Sequence, residues 1–200
     1  MLLEYAVSQA AKKDIKESDY KAAFESYTPE VTAQIIKLDS EDKAKEVLEA
    51  AKAEGADFAQ IAKDNSTDTA TKDKGGEVKF DSGTADIPSQ VKEAAFKLDE
   101  NGISDVITVS AGQNYSASYY IVKLNKKTEK GSDWKKYEKR LKEIIVDGRK
   151  QDTNYIRSII AKAMTNANIK VKDDAFKSTF NQYLQNIGVQ TSDSSSSSKK

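Results

Sequence analysis

Neither histidine nor cysteine occurs anywhere in the 200 residues. Disulfides, thiolate metal sites and cysteine nucleophiles are excluded, as are His-ligated metals and a Ser-His-Asp triad. The residues alone point to a cofactor-free apolar site, with no metal expected. The stretch with the most informative spacing runs from Lys74 to Val109. It reads Lys74-Gly75-Gly76-Glu77-Val78-Lys79-Phe80, then Val91-Lys92-Glu93-Ala94-Ala95-Phe96-Lys97-Leu98, then Asn101-Gly102-Ile103-Ser104-Asp105-Val106-Ile107. Two adjacent glycines give the backbone freedom for a tight turn into a short strand. An amphipathic helix follows, Gly102 breaks its pattern, and a β-branched run begins.

That order resembles the second half of a parvulin-type peptidyl-prolyl isomerase domain, and within that family the secreted PrsA-type foldases of Gram-positive bacteria. The resemblance spans roughly residues 30 to 126. The reaction it implies is rotation about the X-Pro peptide bond, whose partial double-bond character sets a barrier of about 18–20 kcal/mol. Rotation removes the amide resonance, so an apolar pocket for the proline ring with a few placed hydrogen-bond partners favours the twisted state over the planar one.

The family pocket joins two histidines on adjacent strands, a cysteine or aspartate in the loop before the Gly-Gly turn, and apolar side chains. Carried onto this chain, the first histidine falls on Gln34 and the second on Tyr120, both departures from the pattern. The loop acid is kept as Asp68, seven residues before Gly75. The resemblance thus implies Asp68, Gln34 and Tyr120 as the catalytic set, with Gln34 and Tyr120 able to bond each other and orient Asp68. Ile87, Val91 and Phe96 are implied as the substrate-binding set. The plainer alternatives stay open: a satisfied polar pair on two strands, an exposed loop acid, and, for Phe96, a core aromatic.

The elements that must position these residues follow from pattern. Residues 2–13 read as a helix, and Ser18 is a plausible N-cap for a second helix carrying Ala23, Phe24 and Tyr27, stopped by Pro29. Val31–Leu38 is a first strand. Ser40 caps a helix to about Glu54 with Ala44, Val47, Leu48 and Ala51 inward, and Asp57 with Gln60 opens a short helix bearing Phe58 and Ile61. Asn65–Lys74 and Ser82–Ser89 read as loops, Val78–Phe80, Val106–Val109 and Tyr119–Leu124 as strands, with a turn at Gly112–Asn114.

Ser132 opens a predicted helix of about thirty residues through Trp134, Tyr137, Leu141, Ile144, Gly148, Tyr155, Ile159 and Ala163, at three-to-four spacing. Gly148 costs roughly 1 kcal/mol there and predicts a kink or close packing. Asn168–Lys172 reads as extended, and Asp173 caps a last helix with Phe176, Phe180, Tyr183, Leu184 and Ile187 on one face. The fold class is α+β: a parvulin-like β-α-α-β-α-β-β domain over residues 30–126, inserted into a helical domain made of residues 1–28 and 132–188. Residues 189–200 form a serine-rich tail expected to be disordered.

Formal net charge is zero, yet residues 39–105 hold 17 acidic and 9 basic side chains, and residues 126–150 hold 10 basic and 5 acidic. The acidic surroundings argue against a phosphate-directed isomerase, which needs a basic cluster at its pocket. No recognition motif accompanies the basic segment, so nucleic acid is not an expected partner. No run reaches the ~20 apolar residues of a membrane span. Met1-Leu2-Leu3 passes at once to Glu4, unlike a signal peptide, so the chain is expected to start inside a longer protein.

By the resemblance, that longer protein is lipid-anchored outside the plasma membrane and acts on unfolded or partly folded secreted proteins; homodimerisation stays open. Two classes of function remain: an isomerase foldase, or a non-catalytic chaperone on a degenerate parvulin scaffold.

Overall fold

A computed structural model describes residues 2–110 and 117–167 and the single positions 176, 178, 182 and 185. The chain separates into two compact units, one of residues 1–25 with 134–200 and one of residues 26–133. The elements in chain order begin with α1 (Leu2–Lys13), α2 (Glu17–Ser26), β1 (Val31–Leu38), α3 (Glu41–Lys52) and α4 (Phe58–Asn65). They continue with β2 (Glu77–Phe80), α5 (Ser89–Lys97), β3 (Ile107–Val109), β4 (Ser118–Lys126), α6 (Glu138–Gln151) and α7 (Thr153–Asn166). Single 3-10 turns occupy Lys72–Lys74, inside a stretch predicted as loop, and Trp134–Tyr137.

In the unit of residues 26–133, the strands form one antiparallel sheet in the order β2-β1-β4-β3. The register pairs Ile35 with Val122, Ile36 with Ile121 and Lys37 with Tyr120. β1 is apolar on both faces because helices cover both. Alternation sends Val31, Ala33 and Ile35 to one side, where they meet Phe80, Val91, Ala95, Val122 and Leu124. Ile36 and Leu38 go to the other, against Ala44, Val47, Ala51, Phe58, Ala62 and Ile121. The first side is closed by α5 and the second by α3 and α4.

Local chemistry fixes the ends of these helices. Ser40 Oγ accepts from the Lys43 N–H at 3.3 Å and Asp57 Oδ1 from the Gln60 N–H at 3.1 Å, as N-caps do. The Gly75-Gly76 turn sits at φ +67° and +78°, a region where L side chains are strained. A Cβ on Gly76 would lie 2.5 Å from the Ile35 carbonyl oxygen. The close approach serves pairing, since the Ile35 N–H donates to the Gly76 carbonyl at 2.9 Å.

The helical unit is built by α1 packing on α6 and α7, with Val7, Ala11, Leu141 and Val146 buried. Tyr20 stacks on Trp134 at 5.1 Å and Phe24 on Tyr137 at 5.9 Å between ring centroids. Arg149 Nη1 donates to the Ala11 carbonyl at 3.0 Å, and its Nη2 pairs with Asp19 at 2.8 Å.

Four expectations need correcting here. α2 begins at Glu17, one residue before Ser18, and its first turn is closed by the Lys16 N–H donating to Asp19 Oδ2. Tyr27 lies beyond that helix and is buried in the sheet unit, because its hydroxyl finds Asp81 there. The thirty-residue helix is two helices. The break is at Asp152, whose carboxylate accepts from the N–H groups of Asn154 and Tyr155 and so starts α7 afresh. Gly148 is not a close contact, since a Cβ there would meet nothing within 4 Å, and the helix runs on past it to Gln151. The extended piece at Asn168–Lys172, the Gly112–Asn114 turn and the tail lie outside the described residues. So does most of the last predicted helix, of which positions 176, 178, 182 and 185 are helical.

Candidate functional site

The loop that carries Asp68 is fastened to the end of β1. The Thr67 N–H donates to the Lys37 carbonyl at 2.8 Å. Ser66, buried at the end of α4, accepts at Oγ from the Lys37 N–H and the Asp68 N–H, each at 3.2 Å. Asp68 then shapes its own turn: Oδ1 accepts from the Ala70 N–H at 3.1 Å and Oδ2 from the Thr71 hydroxyl at 2.6 Å. This is the local bonding that Asp favours in turns. Its carboxylate is half-buried at the rim of the sheet.

Tyr120 stands opposite Lys37 in the register, on the β4 face packed against the Val91 cluster. Its phenol is pushed above its ordinary value of 10.0, first by burial and then by the negative charges of Asp68 and Asp39. All three effects disfavour phenolate, so Tyr120 presents a neutral hydroxyl at an apolar face, within the field of two carboxylates. Asp39 is drawn into this group by the Thr67 hydroxyl, which donates to its Oδ1 at 3.3 Å.

Gln34 is not brought to this pair. Three residues before Lys37 on a regular strand, it faces the opposite side of the sheet from Tyr120. Its Nε2 donates to the Gly75 carbonyl at 2.9 Å, which ties the glycine turn down on β1. The apolar residues divide similarly. Val91 is fully buried and forms the floor of the face. Ile87 and Phe96 are half-buried and packed against that floor, Phe96 also against Phe80 at 5.8 Å between centroids.

Two participants were not legible as such. Val78 sits half-buried on the same face, paired with Ala33; its signal was the alternation of Glu77-Val78-Lys79-Phe80, which turns Val78 inward with Phe80. Asp39 carried no signal, being one acid among many just after a strand. Among the described residues no group of three or more His, Cys, Asp or Glu side chains could hold a metal ion. No helix among them is long and apolar enough to cross a membrane.

An antiparallel sheet between one helix and two, with an acid-bearing loop at its rim and a glycine turn entering its edge strand, defines a class. The chain belongs to the rotamase family, the PPIC-type PPIASE domain, which matches residues 26–126. Within that class its similarity is to foldases. It is 64% identical over 188 residues to the foldase protein PrsA of Streptococcus sanguinis, covering 94% of this chain and 56% of the relative. Identity to the foldase protein PrsA of Streptococcus gordonii is 60% over 198 residues, covering 99% and 62%. The crystal structure of foldase protein PrsA from Streptococcus pneumoniae superposes with a TM-score of 0.84 at 55% identity, covering 91% of this chain and 66% of that one. That of the Lactococcus lactis foldase gives 0.73 at 36%, covering 92% and 65%. The chain therefore spans less than two thirds of the length of these relatives.

Proposed function

We propose that the sheet unit is a peptidyl-prolyl cis-trans isomerase and that the protein is a foldase for secreted polypeptides on the extracytoplasmic side of the membrane. The observation that carries the reading is Tyr120 on the apolar face of the Val91 cluster, opposite Lys37, to which the loop bearing Asp68 is bonded. In this reading the proline ring rests on Val78, Ile87 and Phe96 over the Val91 floor. The Tyr120 hydroxyl donates to the substrate at the twisting amide, and Asp68 holds the polar side of the site. Gln34 acts through the Gly75 turn, which sets the position of Val78. A twisted amide carries less charge on its carbonyl oxygen than a planar one and more basicity on its nitrogen. A site that is mostly apolar with a single aimed donor is therefore complementary to the rotating state.

The test is exchange NMR on a short proline peptide with wild type, Tyr120→Phe and Asp68→Ala. Wild type should speed cis/trans exchange, and each variant should lose roughly tenfold, about 1.4 kcal/mol of transition-state stabilisation. Uncatalysed rates in all three would remove the isomerase reading. The chaperone reading would then take its place, and one observation favours it independently. Leu2, Leu3, Tyr5 and Phe176, the large apolar side chains exposed among the described residues, all belong to the helical unit. Exposed apolar surface of that kind suits the capture of unfolded chains.

A further inference from the structure

Between β2 and α5 the chain makes the loop that delivers Ile87, and its root is held more firmly than a surface loop requires. Asp81, 6% exposed, accepts at Oδ1 from the Gly83 N–H at 2.9 Å and from the Thr84 hydroxyl at 3.0 Å. Its Oδ2 accepts from the hydroxyl of Tyr27, 5% exposed, at 3.1 Å. The Asp81 N–H in turn donates to Thr84 Oγ1 at 3.1 Å. One residue on, Thr28 and Ser82 bond reciprocally: the Thr28 N–H donates to Ser82 Oγ at 2.9 Å and the Ser82 N–H to the Thr28 carbonyl at 3.1 Å. From the other side Lys92, on α5, donates from Nζ to the carbonyls of Ser82 at 3.0 Å and Thr84 at 2.6 Å.

A buried carboxylate accepting from Tyr27, Gly83 and Thr84, with a lysine bracing two carbonyls beside it, fixes residues 81–84 in one arrangement. Ile87 follows three residues later, and Pro88 then stiffens the start of α5. Ile87 is half-buried and packed against the Val91 cluster, so its placement depends on the direction in which the loop leaves Thr84.

We propose that Tyr27 and Asp81 are positioning residues for substrate: their hydrogen bond sets the loop that presents Ile87 to the proline ring. This rests on the isomerase reading of the same face and adds to it a determinant outside the residues that touch substrate. Tyr27→Phe removes one hydroxyl and leaves the ring in place. Asp81→Asn turns one acceptor oxygen into a donor that faces donors. Geometry lost beneath a binding residue weakens substrate and transition-state binding alike, which raises KM with little change in kcat.

The experiment follows exchange of a short proline peptide across a concentration series with the whole chain, together with the Ile87 δ-methyl shift and the melting temperature. Tyr27→Phe is expected to raise KM roughly fivefold, hold kcat within about twofold and move the Ile87 methyl resonance. Asp81→Asn should do the same more strongly; if it fails to fold, Tyr27→Phe decides alone. An unchanged KM and an unchanged Ile87 methyl in Tyr27→Phe overturn the positioning role and leave the isomerase reading standing. A wild type that binds the peptide without speeding exchange overturns the isomerase reading alone. The positioning role is then judged by the same ratio in the peptide's dissociation constant. A wild type that neither binds nor catalyses overturns both.

Discussion

Tyr120 holds its proton beyond the ordinary range because burial and the charges of Asp68 and Asp39 all oppose the phenolate. The chain also contains no histidine, the one side chain whose unperturbed charge changes between pH 5 and 8. Together these predict an isomerisation rate that is flat from about pH 6 to about pH 9. A rate that followed a single ionisation near neutrality would remove Tyr120 as the donor. The same shift has a consequence for stability with a definite sign. A group that binds its proton more tightly folded than unfolded contributes stability that is complete below the unfolded value and is lost as pH rises through the folded one. Stability should therefore fall above about pH 10, and Tyr120→Phe should remove part of that alkaline loss in urea titrations at several pH values. Tyr155 and Tyr20 are also raised, first by burial, so the loss is reduced and not abolished. At this scale the place of Asp68, in a loop ahead of the Gly-Gly turn, was legible because loop and turn are local in sequence. The failure of Gln34 and Tyr120 to meet was not, since it depends on the register of two strands far apart in the chain, and a parity of one residue reverses a side chain's face.

The elements whose signals were local came out at their predicted places. β1 was legible from its β-branched run, α3 from Ser40 and α4 from Asp57, because cap and periodicity both act within a few residues. The division of the predicted long helix was missed for a physical reason. The apolar spacing continues across Asp152, and periodicity says nothing about whether an aspartate will bond outward or turn back to cap the next helix. Gly148 drew attention to the wrong position, since glycine lowers helix propensity wherever it stands and breaks a helix only where something else competes. A concrete expectation follows. Gly148 is in the last turn of α6 with open space around it, so Gly148→Ala should stabilise the protein by about 0.5 kcal/mol, the low end of the helix-interior difference. Asp152→Ala should cost about 1 kcal/mol through the lost cap. Thermal unfolding of both variants checks the pair, and a destabilising Gly148→Ala would mean that a neighbour occupies that space.

At the scale of the whole chain, the two compact units carry different surfaces. The sheet unit buries its large apolar side chains in two clusters, one on each face of the sheet, and its functional candidates are a few polar groups at the rim. The helical unit is discontinuous in sequence and holds the exposed Leu2, Leu3, Tyr5 and Phe176. A cavity of about 720 Å³ in that unit is lined by Leu2, Leu3, Tyr5, Val7 and Ile156, with Lys150 at its side. If isomerisation belongs to the rim of the sheet and capture of unfolded chains to the apolar helical surface, the two activities are separable. A fragment of residues 26–133 keeps the four strands found among the described residues, both clusters and all of the matched rotamase domain. It should accelerate prolyl exchange in a short peptide as the full chain does, since a short peptide has no use for a second surface. In refolding of a large unfolded client it should suppress aggregation far less than the full chain at equal concentration, because the apolar helical surface has been removed. Equal suppression by fragment and full chain would transfer client binding to the sheet unit. A fragment that is well folded by NMR yet silent on the short peptide would mean that the helical unit contributes to the isomerase site itself.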